Sequence, residues 1–475
     1  MEEKLQKKRR ISFPNTYVLL FGVAIFMAIL TYVVPAGTFE RALNEATGRT
    51  AVIPDSFQYV EQTPASFLTL FSSVFEGFLQ AAELSGIILI MGSAVGVIIQ
   101  TGAMHALIAK AVKRFGNKTD ILLVVLMICF TIASVLVGMC EELVIFIPLI
   151  LAVCRTMNYD DMTACAVLVI GLYQGLGFAP ISPYSTLIAQ QIAEVELYSG
   201  LGLRVVGVIG GAIIGISYVL IYSKRCAKDP SKSVLYDKEI GGYVVNSTGI
   251  QVKEFNLDEY EMTPKRKAII ILFVIAVIIN VYGVLKYGWY FDELSCIYLI
   301  LGIVCALIEY NGKINDAAEA LVREAGPLVG TCILLAMSRS IIYVLNEGQI
   351  MDTIIYALAQ PLSHMSGLVA SWGIYLSQLI VNFFIPSASG QAMAVMPIIT
   401  PLCDICDIPR NVGVHAFMTA DCYGNLIIPT HPTTLAILGM AGVSWVKWFK
   451  WVWKLVVLFS LWSLILISVG YFIWQ

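Results

Sequence analysis

The chain has 475 residues, 58% of them hydrophobic and only 13% charged, with a formal net charge of −3. A soluble domain carries about 25% charged residues, so this balance points to lipid, and nothing in it suggests nucleic acid. No Walker A pattern G-x-x-x-x-G-K-[ST] occurs, which argues against ATP drive within the chain, and no HExxH or G-x-S-x-G arrangement argues for an enzyme.

The N-terminus is basic (Lys4, Lys7, Lys8, Arg9, Arg10) and leads into the apolar run Val18–Val34. That run is too long for a signal peptide and lacks a small-residue cleavage site, so it is read as a retained first span. The Pro-bearing, mildly acidic segment from Thr38 to Pro64 follows. In Ser66–Leu84 the polar residues Thr69, Ser72, Ser73, Glu76, Gln80 and Glu83 recur every three or four positions, which predicts a helix lying in the membrane interface. Residues 1–118 are read as N-terminal scaffold helices, ending in the basic loop Lys110–Lys118.

Residues 119–197 form the first transport region. Asp120–Val153 is too interrupted for one span, breaks at Gly138-Met139-Cys140-Glu141-Glu142, and predicts a re-entrant hairpin. Met162–Leu176 then enters as a helix that unwinds over Gly177–Tyr184 and resumes at Ser185–Val195. A connecting span (198–223) leads to a polar linker (224–267). Lys224, Arg225, Lys228, Lys232, Lys265, Arg266 and Lys267 crowd the linker ends. The positive-inside rule therefore places the linker and the N-terminus in the cytoplasm of a multi-pass inner (plasma) membrane protein.

The second half begins with scaffold helices (268–365), including Ala268–Val284, Tyr298–Ile308 with its flanks, and a second amphipathic stretch, Ile314–Ala325. Residues 366–443 form the second transport region. Its hairpin, Gly367–Leu402, breaks at Pro386–Gln391; its broken helix runs from Val412 to Leu426, unwinds over Ile427–Thr433 and resumes through Gly442. A last span lies in 444–475. Most of the 11 cysteines are scattered through apolar stretches as small hydrophobes. Cys403 and Cys406 form a lone CxxC, read as packing residues, and no metal site is assigned.

The two halves are self-similar. Pro148 pairs with Pro397 (397 − 148 gives an offset of 249), and the same offset pairs Gly175 with Gly424, Pro180 with Pro429 and Pro183 with Pro432. Facing opposite sides of the membrane, such segments make an inverted repeat. Gly/Pro-interrupted segments in corresponding positions point to a midplane substrate site. Two prolines three apart leave backbone groups unpaired, which a membrane tolerates only where they line a cavity or are buried in protein. The exposed carbonyls suit a cation, and the restarted half-helices suit a carboxylate.

The candidate substrate-binding residues follow from these breaks. Cys140, Glu141 and Glu142 stand at the first tip. Ser387, Ser389, Gly390 and Gln391 stand at the second, with Cys140 opposite Ser389 and Glu142 opposite Gln391. Ser182, Tyr184 and Ser185 flank the first break, and Thr430, His431, Thr433 and Thr434 the second. An intramembrane carboxylate costs about 3 kcal/mol or more at mid-bilayer. Glu141 and Glu142 therefore have three open roles: counter-charge for a cationic solute, proton carrier, or sodium ligand; pairing with Arg339 is the structural alternative. Hydroxyls beside the breaks can equally cap the restarted helices. His431 can bind solute, carry a proton or bond a free carbonyl. Glu142, Asp421 and Asn425 are the candidates for a coupling ion or proton.

The hairpin tips and breaks, above all FIPSASGQAMAVMP and GNLIIPTHPTTLAILG, resemble the C4-dicarboxylate anaerobic carrier (DcuC) family over nearly the whole chain. Within it the likeness is to YfcC-type members, described as basic amino acid antiporters. The resemblance implies an all-α polytopic fold of the ion transporter superfamily, usually a homodimer, with a scaffold and a mobile elevator-type transport domain. Dicarboxylate and citrate carriers of that superfamily hold substrate carboxylates with Ser-Asn-Thr motifs at both tips; here Cys140-Glu141-Glu142 stands at the first. The reading is a secondary active transporter, not an enzyme, carrying a small basic or zwitterionic amino acid by exchange or ion coupling. A sodium- or proton-coupled C4-dicarboxylate carrier is the alternative. No cofactor is expected beyond Na+ or H+ as coupling ion.

Overall fold

The computed structural model describes residues 16–44, 49–53, 56–104, 106, 119–137, 140–180, 182, 185–237, 242–243, 261–287, 289 and 291–474. About four-fifths of them are helical, as apolar runs demand where the solvent offers no hydrogen bonds and the backbone must pair within its own segment. The basic N-terminal residues, the Lys110–Lys118 loop, Gly138, Met139, Pro183 and Tyr184 and most of the linker lie outside the described residues.

Helix α1 (Thr16–Val33) is followed by two short antiparallel ribbons, Gly37–Thr38 with Gln58–Tyr59 and Arg41–Asn44 with Arg49–Val52. The composition of residues 38–64 gave no sign of these. Helix α2 (Phe67–Gln80) starts at Ser66, whose hydroxyl accepts from the Thr69 N–H at 3.0 Å. It bends by 58° into α3 (Ala82–Gln100). The first transport region comprises α4 (Thr119–Val137), a 3₁₀ turn (Glu141–Phe146), α5 (Ile147–Thr156), α6 (Asp161–Leu176) and α7 (Thr186–Ile192), and the 28-residue α8 (Leu201–Lys228) leads to the linker.

Helices α9 (Pro264–Tyr287), α10 (Phe291–Glu309), α11 (Ile314–Ala325), α12 (Val329–Glu347) and α13 (Met351–Ala359) open the second half. The second transport region comprises α14 (Gly367–Phe384), α15 (Ala388–Ile405), α16 (Arg410–Gly424) and α17 (Pro432–Ala441), and α18 (Trp445–Trp474) ends the chain. Among the described residues, α8, α12, α14 and α18 are long and apolar enough individually to cross a membrane, and the bent pair α2–α3 passes the same test jointly.

Three boundaries differ from the sequence expectation, each for a local reason. The second unwound stretch is residues 425–431, because Pro432 starts α17: at that position its fixed φ suits the helix and its missing N–H is no loss. Thr433 is therefore helical. The second tip is only Ile385–Ser387, so Ser389, Gly390 and Gln391 occupy the first turn of α15. Helix α7 ends at Ile192, short of Val195, because Glu194 adopts a left-handed φ of 54°.

Packing crosses between the halves. Helix α2 packs on α12 and α11 packs on α3, so each amphipathic helix rests on the long helix of the other half. The approach is close: a Cβ on Gly77 would lie 2.2 Å from the Ala336 carbonyl oxygen. Within the transport regions α4 packs on α6 as α14 packs on α16. One hydrophobic core gathers most of the first half together with Ala436–Leu438 and Met440–Ala441 of α17. The other gathers α1 and α12–α16 together with Ile188, Ala189 and Ile192 of α7. The restarted half-helix α7 thus packs against α15 and α16 of the opposite half, whereas α17 packs both on α12 of its own half and on α5, α6 and the 3₁₀ turn of the first.

Helices α6 and α16 begin at opposite ends of α8. At one end Asp160, the cap of α6, accepts from the Tyr222 hydroxyl at 2.6 Å. At the other, the Ser199 hydroxyl just before α8 donates to Asn411 Oδ1 at 3.0 Å, in the first turn of α16.

Candidate functional site

The first hairpin tip and the second break meet at Tyr173, a fully buried residue of α6. Its hydroxyl lies 3.3 Å from Cys140 Sγ. It also lies 3.3 Å from His431 Nδ1 and 3.4 Å from Nε2, with the rings edge to face. Glu141 and Glu142 follow Cys140 directly and open the 3₁₀ turn, which packs against α17. Arg339 of α12 is half-buried and within electrostatic reach of His431.

The hydroxyls beside the second break divide into two kinds. Thr430 donates to the Phe383 carbonyl at 2.8 Å, and Thr434 to the Asn425 carbonyl at 2.9 Å. The Thr430 carbonyl accepts in turn from Ser338. These groups hold the unwound backbone in place. His431 caps α17, its Nδ1 accepting from the Thr434 N–H at 3.3 Å. Among the described residues the buried Thr433 Oγ1 has no hydrogen-bond partner, nor has the buried Ser185 Oγ at the start of α7. Among the described hydroxyls singled out from sequence, these two are the fully buried ones without a partner. Ser182 is buried, its carbonyl accepting from the Leu187 N–H at 3.1 Å.

The second tip is joined to α16 by side-chain amides. Asn382 Nδ2 lies 3.0 Å from Asp421 Oδ1, 3.0 Å from Asn425 Oδ1 and 3.3 Å from Gln391 Oε1. Gln391 Nε2 donates to the Gln378 carbonyl at 3.2 Å and to its Oε1 at 3.0 Å. Two amide hydrogens on Asn382 thus face three acceptors, and Asn382 Oδ1 is itself buried without a partner among the described residues. Ser387 caps α15, its hydroxyl accepting from the Gly390 N–H at 3.4 Å; Ser389 is half-buried and Gly390 exposed.

The structure therefore gathers Cys140 and His431 around Tyr173, and Gln391, Asp421 and Asn425 around Asn382. Tyr173, Asn382 and Gln378 were not singled out from sequence. The signal for the last two was present: an Asn and a Gln four residues apart, on one face of an apolar helix. Cys403 and Cys406 are free thiols buried in the second core, Cys406 donating to the Leu362 carbonyl at 3.3 Å. Among the described residues no group of three or more His, Cys, Asp or Glu is placed to hold a metal.

Comparison with known proteins gives a family and a set of relatives. The sequence profile of the family described as C4-dicarboxylate anaerobic carrier, DcuC, matches residues 13–472. An uncharacterized protein of Haemophilus influenzae is 26% identical over 461 residues, covering 87% of this chain and 88% of that protein. YfcC of Escherichia coli K12, provisionally named a basic amino acid antiporter, is 26% identical over 466 residues, covering 90% of each. Among solved structures, the chain is similar to the YdaH transporter of Alcanivorax borkumensis, with 16% identity, 97% of this chain and 98% of that one covered, and a TM-score of 0.39. It is also similar to MtrF of Neisseria gonorrhoeae, described in connection with a class of antimetabolite efflux pumps, with 16% identity, 98% and 96% covered, and a TM-score of 0.42.

Proposed function

The chain belongs to the C4-dicarboxylate anaerobic carrier family, and from that premise we propose that it is a secondary active transporter of a basic or zwitterionic amino acid, working by exchange or ion coupling. The observation that carries the reading is the acidic first tip: Cys140, directly followed by Glu141 and Glu142, lies against Tyr173, which in turn touches His431 of the second break. A solute's cationic end meets Glu141 or Glu142. Its carboxylate meets the start of α17, where Thr433 Oγ1 is unpartnered and Arg339 is near. Two acidic residues at one tip disfavour a dicarboxylate unless they are protonated or ion-paired.

The coupling group in this reading is Asp421. A proton on its carboxyl, or a sodium ion, would complete the surplus of oxygen acceptors around Asn382 and Asn425. The architecture is an inverted repeat, supported by the crossed packing of α2 and α11 and by the start of α6 and α16 at opposite ends of α8. The hairpins and broken helices form the mobile part of an elevator, the remaining helices the scaffold of a homodimer, and the linker faces the cytoplasm.

The test is counterflow in sealed proteoliposomes loaded with unlabelled ornithine. Saturable uptake of labelled arginine that vanishes without internal solute is the expected result. Counterflow of succinate or malate with none of arginine or ornithine would assign the dicarboxylate reading instead. Conversion of a solute without translocation would make the protein an enzyme.

A further inference from the structure

We propose that Arg204 and His415 form a second, buried site that binds the carboxylate group of a small solute, at the end of the molecule remote from the linker. Arg204 stands in the first turn of α8 with no exposed surface, on the face that continues through Gly207, Gly211 and Gly215. Its Nη1 donates to the Ser199 carbonyl at 3.1 Å, but among the described residues Nε and Nη2 have no hydrogen-bond partner. His415, in α16, is 1% exposed, and neither ring nitrogen has a partner among the described residues. Phe178 brings the two together: its ring lies 4.9 Å from that of His415 and covers Gly207, one turn on from Arg204. Arg204 and His415 are within electrostatic reach of each other.

Nε–H and Nη2–H form one edge of a guanidinium, two parallel donors spaced to match the two oxygens of a carboxylate. The same chain uses that edge in this way twice. Arg155 gives Nε and Nη2 to the two oxygens of Asp161 at 2.6 and 2.8 Å. Arg410 gives them to the two oxygens of Asp404 at 2.9 and 2.7 Å. Glu194, at the same end of the molecule as Arg204, also pairs with Arg410, at 3.1 Å. A buried guanidinium without a counter-charge is among the costliest groups to hold in a protein. Among the described residues Arg204 presents its carboxylate-matching edge with no side-chain carboxylate on it, and His415, packed on the same Phe178, carries an unpartnered imidazole. This inference rests on that geometry alone, so failure of arginine counterflow would leave it untouched.

The experiment is thermal unfolding of the purified full-length protein at constant ionic strength, titrated with acetate, with arginine as a larger carboxylate, and with chloride as the reference anion. A saturable rise in melting temperature of about 3 °C with a carboxylate over chloride, abolished in Arg204→Met, is the expected result. A response to acetate makes any small carboxylate a ligand. A response to arginine alone, lost in the same variant, makes the transported solute the ligand. Equal responses to acetate, arginine and chloride, or a carboxylate response unchanged in Arg204→Met, would overturn the site. Should that variant fail to fold, Arg204→Lys keeps the charge but not the fork and must lose the preference over chloride. Saturation-transfer NMR of acetate and arginine on the unaltered protein must show binding of at least one of them.

Discussion

The hydroxyl of Tyr423 donates to the backbone carbonyl of Gln174 at 3.4 Å, and these residues are 249 positions apart. The same spacing pairs Gly175 with Gly424 and Pro180 with Pro429, so under the proposed repeat Tyr423 touches its own counterpart in the other half. The neighbouring contact repeats the relationship: the Cys422 thiol donates to the Tyr173 carbonyl at 3.4 Å, again across 249 positions. Counterparts touch each other only where an axis relating the halves passes between them. The proposed repeat axis therefore runs between α6 and α16, beside the residue that joins the first tip to the second break.

Helix α8 closes on this contact through a glycine. A Cβ on Gly211 would stand 2.1 Å from the Gln174 carbonyl oxygen, whereas one on Gly202 meets nothing within 4 Å. Backbone cannot yield as a flexible side chain can. Gly211→Ala is expected to destabilise the protein by about 2 kcal/mol, the usual range for overpacking, and Gly202→Ala to leave it unchanged or slightly stabilised. Thermal unfolding in detergent compares the two. Equal melting temperatures would mean that α8 is not held at this distance.

Tyr173→Phe removes only the hydroxyl that lies between Cys140 and His431. A net hydrogen bond is worth about 1 kcal/mol, so unfolding should shift little while the relative position of tip and break is loosened. Exchange activity is expected to fall by about tenfold, with a folded, monodisperse protein. Activity at the unaltered level would remove Tyr173 from the site.

Much of this was legible in the chain itself. Apolar runs located the long helices, and the matched Pro/Gly positions located both breaks to within a few residues. What sequence could not supply was long-range. Tyr173 reads as one more aromatic residue in an apolar run until folding brings Cys140 and His431 to it from either side. The crossed seating of α2 on α12 and of α11 on α3 joins segments far apart in the chain. Pro432 was read as part of the break because a proline interrupts a helix interior; at the first helical position it starts one instead.

The amide cluster of the second tip makes a separate prediction. Asn382→Ala takes two N–H donors from Asp421, Asn425 and Gln391, which are buried. Leaving buried acceptors unsatisfied costs about 1–3 kcal/mol, and a fall in melting temperature should report it. Asp421→Asn keeps the shape and removes the charge. Under the coupling role it should leave solute binding in place and abolish the response of uptake to an imposed pH or sodium gradient. A variant that follows both gradients as the unaltered protein does would end that assignment.

The acidic tip carries the solute reading, and the 3₁₀ turn sharpens its test. Glu141 and Glu142 are the first residues of that turn. Neighbours in a 3₁₀ helix, with about three residues per turn, point about 120° apart. The proposed counter-charge is therefore assigned to one of the two residues. Glu141→Gln and Glu142→Gln, made separately, should behave differently: one lowers the apparent affinity for arginine by about tenfold or more, equivalent to about 1.4 kcal/mol, and the other changes it by less than about threefold on the same scale. Competition between labelled arginine and ornithine in proteoliposomes measures both. If neither variant, nor the double variant, alters arginine affinity, the first tip is not the counter-charge and the solute is not held by its cationic end.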